Sequence, residues 1–149
     1  MSAELRELYQ EIIIDHNRNP RHHYAMADAT TQANGFNPLC GDKLTVYLML
    51  SDGVVNDISF TGCGCAISQA SASLMTDALI GKTTAQAHTL FEQFHRMLTS
   101  DDEIKAISDD KLTVLAGVRA FPARVKCATL AWHTLEAALQ KETAVVSTE

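Results

Sequence analysis

Three cysteines and one aspartate stand where their types and spacing can do chemistry. Cys40 and Asp42 lie two residues apart in Asn37-Pro-Leu-Cys-Gly-Asp42, a turn just ahead of an alternating run. Cys65 closes Gly62-Cys-Gly-Cys65 at the head of a small-residue stretch, and Cys127 stands in Arg124-Val-Lys-Cys-Ala128. Thiolates with a carboxylate make a tetrahedral donor set that suits zinc, and thiolates also suit iron–sulfur clusters. The spacing is not the Cys-x-x-Cys of a zinc ribbon. Free cysteine is also among the most buried residue types, so thiols packed without any metal are the competing reading.

The elements that must bring these residues together are legible. Lys43 to Leu50 alternates, with Leu44, Val46, Leu48 and Leu50 on one side. Ser51-Asp-Gly53 is turn chemistry, and Val54 to Thr61 is a second strand with Val54, Ile58 and Phe60 facing one way. Two alternating runs around a short Gly-containing loop predict an antiparallel hairpin. Cys40 precedes its first strand, and Cys63 and Cys65 follow its second. Antiparallel pairing therefore makes these cysteines neighbours, whatever the rest of the chain does.

Around the hairpin the pattern is mostly helical. Residues 3–17 carry Leu5, Leu8, Tyr9, Ile12 and Ile13 at helical spacing, and Asn19-Pro20 stops the run. His16, Arg21, His22 and His23 cluster at its exit and are read as a solvated or docking surface. Residues 29–35 form a strand by their β-branched start and closing turn signal. A helix over residues 66–80 starts at Cys65, where free N–H groups and the helix dipole favour a thiolate, and Gly81 caps its end. Its serines, Ser68, Ser71 and Ser73, are small residues that permit close packing. Thr83 or Thr84 caps the next helix, which runs to about Leu98 with Ala87, Leu90, Phe91, Phe94 and Leu98 buried. His88 and His95 lie on its surface or boundary. Residues 101–104 and 108–111 each resemble a helix start. Leu112, Leu115 and Val118 follow in a short helix. The last helix opens at Phe121-Pro122, carries Cys127 in its second turn, and uses Trp132 as a large apolar anchor. The expected fold is α+β: a small three-stranded antiparallel sheet with helices packed on one face.

The chain has 149 residues, 46% of them hydrophobic and 20% charged, which fits one globular domain with a core of its own. Residues 1–141 are expected to form that domain and 142–149 a frayed tail. A formal net charge of -6 argues against a nucleic-acid partner, which needs a basic face. Charges interrupt the N-terminal segment where a secretion signal would be apolar, and no apolar run is long enough to span a bilayer. A cytoplasmic location follows, and in a reducing compartment the four cysteines read as metal-binding, catalytic or buried rather than disulfide-bonded.

Taken together, Asn37-Pro-x-Cys-Gly-Asp42, Gly62-x-Gly-Cys65-Ala-Ile-Ser-x-Ala-Ser71 and Arg124-x-Lys-Cys127-Ala-x-Leu-x-Trp132 resemble the three signatures of the IscU/SufU family of iron–sulfur cluster assembly proteins. Leu8-Tyr-x-Glu-Ile-Ile-x-Asp-His16 with Pro20 is similar too. Lys126 stands where the IscU-type branch has a histidine, and the segment between the second and third cysteines is long. Both features resemble the SufU branch. That resemblance implies a zinc ion on Cys40, Asp42, Cys65 and Cys127, and a role as sulfur acceptor for a cysteine desulfurase. A scaffold that builds an Fe–S cluster for transfer to apo-proteins is the alternative. In the sulfur-acceptor role the resemblance further implies that a desulfurase histidine takes the acceptor cysteine's place on the metal when the partner docks.

Cys40, on a loop beside Gly41, is the expected acceptor, since helices hold Cys65 and Cys127. Asp42 is a hard oxygen ligand and the more weakly held one on a borderline-soft ion. Arg124 and Lys126 are expected either to attract an anionic persulfide or pair with Asp42, or to be plain surface cations. Cys63 departs from the SufU pattern, because the IscU branch places its cysteine there. It is an alternative ligand, a resolving thiol or a bystander, and the last is favoured because tetrahedral zinc has no fifth place.

Overall fold

A computed structural model describes residues 3–99, 110–140 and 146–147, with side chains described over 10–99 and 111–140. β1 (Thr31–Asn37), β2 (Asp42–Ser51) and β3 (Val54–Cys63) form an antiparallel meander. α1 (Ala3–Arg18) precedes it, and α2 (Ala66–Leu79) and α3 (Thr84–Thr99) follow. A 3₁₀ helix (Asp110–Ala120) then leads into α4 (Pro122–Leu139). α4 lies across β1 and β2, while α2 packs on β3 and against α4. α1 covers the outer side of α2, and α3 and the 3₁₀ helix pack against α4. The expected sheet with helices on one face is what forms.

Alternation explains the sheet. Leu44, Val46 and Leu48 of β2 are buried against the helices, with Lys43 and Thr45 between them facing out. β3 departs from strict alternation. The register slips between Met49 and Leu50, so Leu50 pairs with Val55. One extra residue on β3 turns Val55 inward in place of Val54, after which Ile58 and Phe60 resume the buried face.

Helix boundaries follow local chemistry. Thr83 Oγ1 accepts from the Gln86 backbone N–H while Gln86 Oε1 accepts from that of Thr83, a reciprocal cap that starts α3. Pro122 opens α4. Leu112, Leu115 and Val118 recur every third residue, which matches the three residues per turn of a 3₁₀ helix and puts all three in the core. The expected helix starts at 101–104 and 108–109 lie outside the described residues, as do the side chains of Leu5, Leu8 and Tyr9. Of the same stripe, Ile12 and Ile13 pack onto the core. In the tail, Val146–Ser147 (β4) pair parallel to Gly35–Phe36, adding a two-residue edge to the expected three strands. The remaining tail residues lie outside the described ones.

Two side chains tie the helical layer together. Trp132 stacks on Phe94 at 4.6 Å between ring centroids, and its Nε1–H reaches Ser71 Oγ at 3.2 Å. Ser71 in turn donates to the Ala128 carbonyl. The serines of α2 therefore do more than make room. Ser73 Oγ accepts from the Arg21 backbone N–H at 2.8 Å and bonds His16 Nδ1 at 2.7 Å.

His16 consequently corrects the reading of the helix exit as a solvated cluster, for it is only 6% exposed. Burial, and then the Arg21 guanidinium, hold its imidazole below the usual histidine range. The folded chain thus keeps His16 neutral, and the unfolded chain takes up its proton more readily. This histidine's stabilising contribution is complete above the unfolded pKa of about 6.5 and is lost as pH falls toward the folded value. Urea unfolding from about pH 7.5 to about pH 5.5 is expected to show falling stability in the parent and a shallower fall in His16→Gln. Equal slopes for the two proteins contradict this assignment.

Candidate functional site: thiols and a carboxylate at the hairpin end

The site begins at the tight connection between β1 and β2. Asn37 pairs with Asp42 as the last rung of the ladder, so residues 38–41 form the turn and Cys40 sits on it. Gly41 takes φ +72°, a left-handed conformation that glycine adopts without strain. The β2–β3 register sets Lys43 opposite Cys63. That brings the chain after β3 against Asp42, whose Oδ1 accepts from the Cys65 backbone N–H at 2.8 Å. A Cβ on Gly64 would lie 2.6 Å from the same oxygen, so a side chain there displaces the carboxylate.

α4 supplies the other wall. Cys127 is fully buried, and its Sγ lies 3.0 Å from Cys40 Sγ and 3.6 Å from the Ala123 carbonyl oxygen. Donor atoms of Cys40, Asp42 and Cys127 all lie within 4.8 Å of one another. Cys65 stands outside that group but beside it. Its thiol caps α2 by accepting from the Ser68 N–H at 3.4 Å, and it also reaches Cys127. Of the four expected ligands, three are gathered and the fourth adjoins them.

Electrostatics give the cluster its character. Cys127 is pushed well above the ordinary thiol range by burial, then by hydrogen bonds with Cys40 and Cys65 and by the proximity of Cys65 and Asp42. Acidic groups crowded together in this way hold their protons unless a cation joins them. Arg124 is one such cation. Its guanidinium is exposed and lies against Cys127, and its pKa is raised by that contact and by the nearby Cys65 and Cys40. Arg124 thus faces the thiols, while Asp42 takes its hydrogen bonds from Cys65 and from Asn37. Lys126 is exposed about 200° around α4 from Arg124.

The donor chemistry also fits a metal ion. Tetrahedral metal–sulfur bonds of about 2.3 Å separate neighbouring ligands by roughly 3.8 Å. The three donor atoms lie within 4.8 Å of one another, and the Cys40 and Cys127 sulfurs, 3.0 Å apart, have to part by about 0.8 Å to take that edge. Cys63 is placed differently: it is exposed and opposite exposed Lys43, hence on the sheet face away from Asp42.

One residue of the site carries no role in the sequence reading. Asn37 is completely buried, and its amide nitrogen donates to Asp42 Oδ2 at 3.0 Å and to Cys127 Sγ at 3.5 Å. The available signal was a polar residue fixed in extended geometry by the following proline, directly ahead of the Cys40 turn.

Residues 8–145 match the NifU-like N-terminal domain, and the chain belongs to that family, which includes the IscU and SufU iron–sulfur cluster assembly proteins. It is 41% identical over 136 residues to the iron–sulfur cluster assembly scaffold protein IscU of Thermotoga maritima, covering 90% of this chain and 94% of that one. It is 39% identical over 141 residues to the zinc-dependent sulfurtransferase SufU of Bacillus subtilis, covering 95% of each. Among solved structures, the putative SUF-system scaffold from Fervidobacterium islandicum superposes with a TM-score of 0.79 at 33% identity, covering 90% of this chain and 98% of that one.

The geometry ranks the thiols by reactivity. In metal-free, reduced protein treated with iodoacetamide, peptide mass spectrometry is expected to find exposed Cys63 alkylated first. Buried Cys127 is expected last, at least ~10-fold more slowly. Labelling of Cys127 at the rate of Cys63 contradicts the arrangement.

Proposed function

We propose that this chain holds zinc on Cys40, Asp42, Cys65 and Cys127 and accepts persulfide sulfur from a partner cysteine desulfurase for iron–sulfur cluster assembly. The observation that carries the reading is the convergence of Cys40, Asp42 and Cys127 from a turn, a strand end and a helix, with Cys65 adjoining. A pure packing role does not call for thiols from a turn, a helix cap and a helix gathered around a buried carboxylate. Zinc, when bound, keeps its thiols deprotonated near neutral pH.

The acceptor is Cys40. Asp42 is pinned by Asn37 and by Cys65 N–H, Cys127 is buried in α4, and Cys65 caps α2. Cys40 sits on a turn, is half-buried with its thiol against that of Cys127, and adjoins Leu39, which is 61% exposed. Its thiolate attacks the terminal sulfur of the partner's cysteine persulfide. A sulfur–sulfur bond forms on Cys40 as the partner's breaks, and the electron pair remains on the partner's cysteine as thiolate. Arg124 lies where an anionic persulfide arrives. The free thiols suit a reducing cytoplasm, and among the described residues no helix is long and apolar enough to cross a membrane.

A second reading, an Fe–S cluster scaffold, draws support from the relative of that name in Thermotoga maritima. Assay with a cysteine desulfurase separates the two. The sulfur-acceptor reading expects one zinc per chain and stimulated desulfurase turnover that Cys40→Ala abolishes and Asp42→Ala reduces. Full stimulation by Cys40→Ala defeats it. Anaerobic addition of iron and sulfide that yields a chromophore stable through gel filtration, and transferable to an apo-protein, decides for the scaffold.

A further inference from the structure

The Asn37 side chain touches ligand atoms from both halves of the site, Asp42 of the hairpin and Cys127 of α4. Asn37 is the last residue of β1, cross-paired with Asp42, and none of its surface reaches solvent. A carboxamide nitrogen carries two hydrogens, and here one points at Asp42 Oδ2 (3.0 Å) and the other at Cys127 Sγ (3.5 Å). Both neighbours are acceptors when ionised, so the amide has one satisfactory orientation, with nitrogen inward. The Cys65 N–H holds the opposite oxygen of the same carboxylate at 2.8 Å.

Resting on the zinc reading above, we infer that Asn37 is a positioning residue: its amide braces the hairpin ligand Asp42 to the helix ligand Cys127 and sets metal affinity. Three features carry this. The group is neutral, so it supplies two donors to anionic ligands without adding a buried charge. It spans the hairpin and α4, touching one proposed ligand on each. Its backbone is fixed twice, by the ladder rung to Asp42 and by Pro38 after it. Donors to ligating groups orient those groups, and their removal typically weakens metal binding by about 10- to 100-fold.

Zinc affinity, measured by competition with a chromophoric chelator, and the visible bands of the Co²⁺-loaded protein test the assignment. Asn37→Leu, similar in volume but without the amide, is expected to bind zinc about 10- to 100-fold more weakly and to shift the Co²⁺ bands. Ser73→Ala removes a buried hydroxyl bonded to His16 and to the Arg21 backbone, on the α1 side of α2. That control is expected to lower thermal stability while leaving both metal readouts at parent values. Zinc affinity in Asn37→Leu within about twofold of the parent overturns the inference. If the leucine variant does not fold, Asn37→Ala, which lacks the carboxamide and adds no charge, is judged by the same criterion. A parent chain that takes up neither zinc nor cobalt overturns the zinc reading and this inference with it. Retained affinity in the variant overturns this inference alone.

Discussion

A buried carboxylate is the constraint on which the rest of this structure depends. Asp42 has no exposed surface, yet it stands where β1, β2, the β3–α2 connection and α4 all meet. Burying a carboxyl group without partners is costly, so its oxygens must find donors. The Asn37 amide and the Cys65 N–H supply one to each oxygen. Each donor comes from a different segment, so satisfying the carboxyl also fixes the chain around it. Gly64 lies against the carboxylate, where a Cβ would collide with it.

The packing beneath has a matching logic. α4 must deliver Cys127 to the hairpin end while it lies flat across β1 and β2, and Trp132 sets its place. That ring is stacked on Phe94 and bonded to Ser71, which also holds the Ala128 carbonyl. A bond from α2 to the residue after Cys127 keeps the two helical thiols at a fixed separation. The turn that carries Cys40 has no comparable anchor. Three sides of the site are thus tied by buried hydrogen bonds, while Cys40 reaches it from a turn.

Membership in the NifU-like N-terminal family accounts for the order of the motifs, and the structure gives each a physical task. The first motif makes a tight turn between two paired strands. The second ends a strand and caps a helix with its own thiol. The third places a buried cysteine and an exposed guanidinium on consecutive helical turns. Family relatives bear names for sulfur transfer and for cluster scaffolding alike. The donor set of this chain is chemically open to both, and the turn position of Cys40 is the feature on which the proposed transfer role rests.

Local pattern was sufficient wherever one residue's neighbours in sequence are also its neighbours in space. The alternation of β2, the Pro20 stop, the Thr83 cap and the hairpin that joins Cys40 to Cys65 are of this kind, because period and turn chemistry act over a few residues. The slip that turns Val55 inward escaped, since a bulge is decided by the partner strand. His16 escaped as well: its neighbours are polar, and only the approach of α2 and Ser73 buries it. Asn37 was visible as a letter of a motif, but its task depends on a cysteine ninety positions away. The sequence by itself determined which elements form and which residue types are available for metal or sulfur. Tertiary structure alone decided which thiols share one space and which polar groups lose water, because desolvation and charge proximity belong to the packed arrangement and not to any single segment.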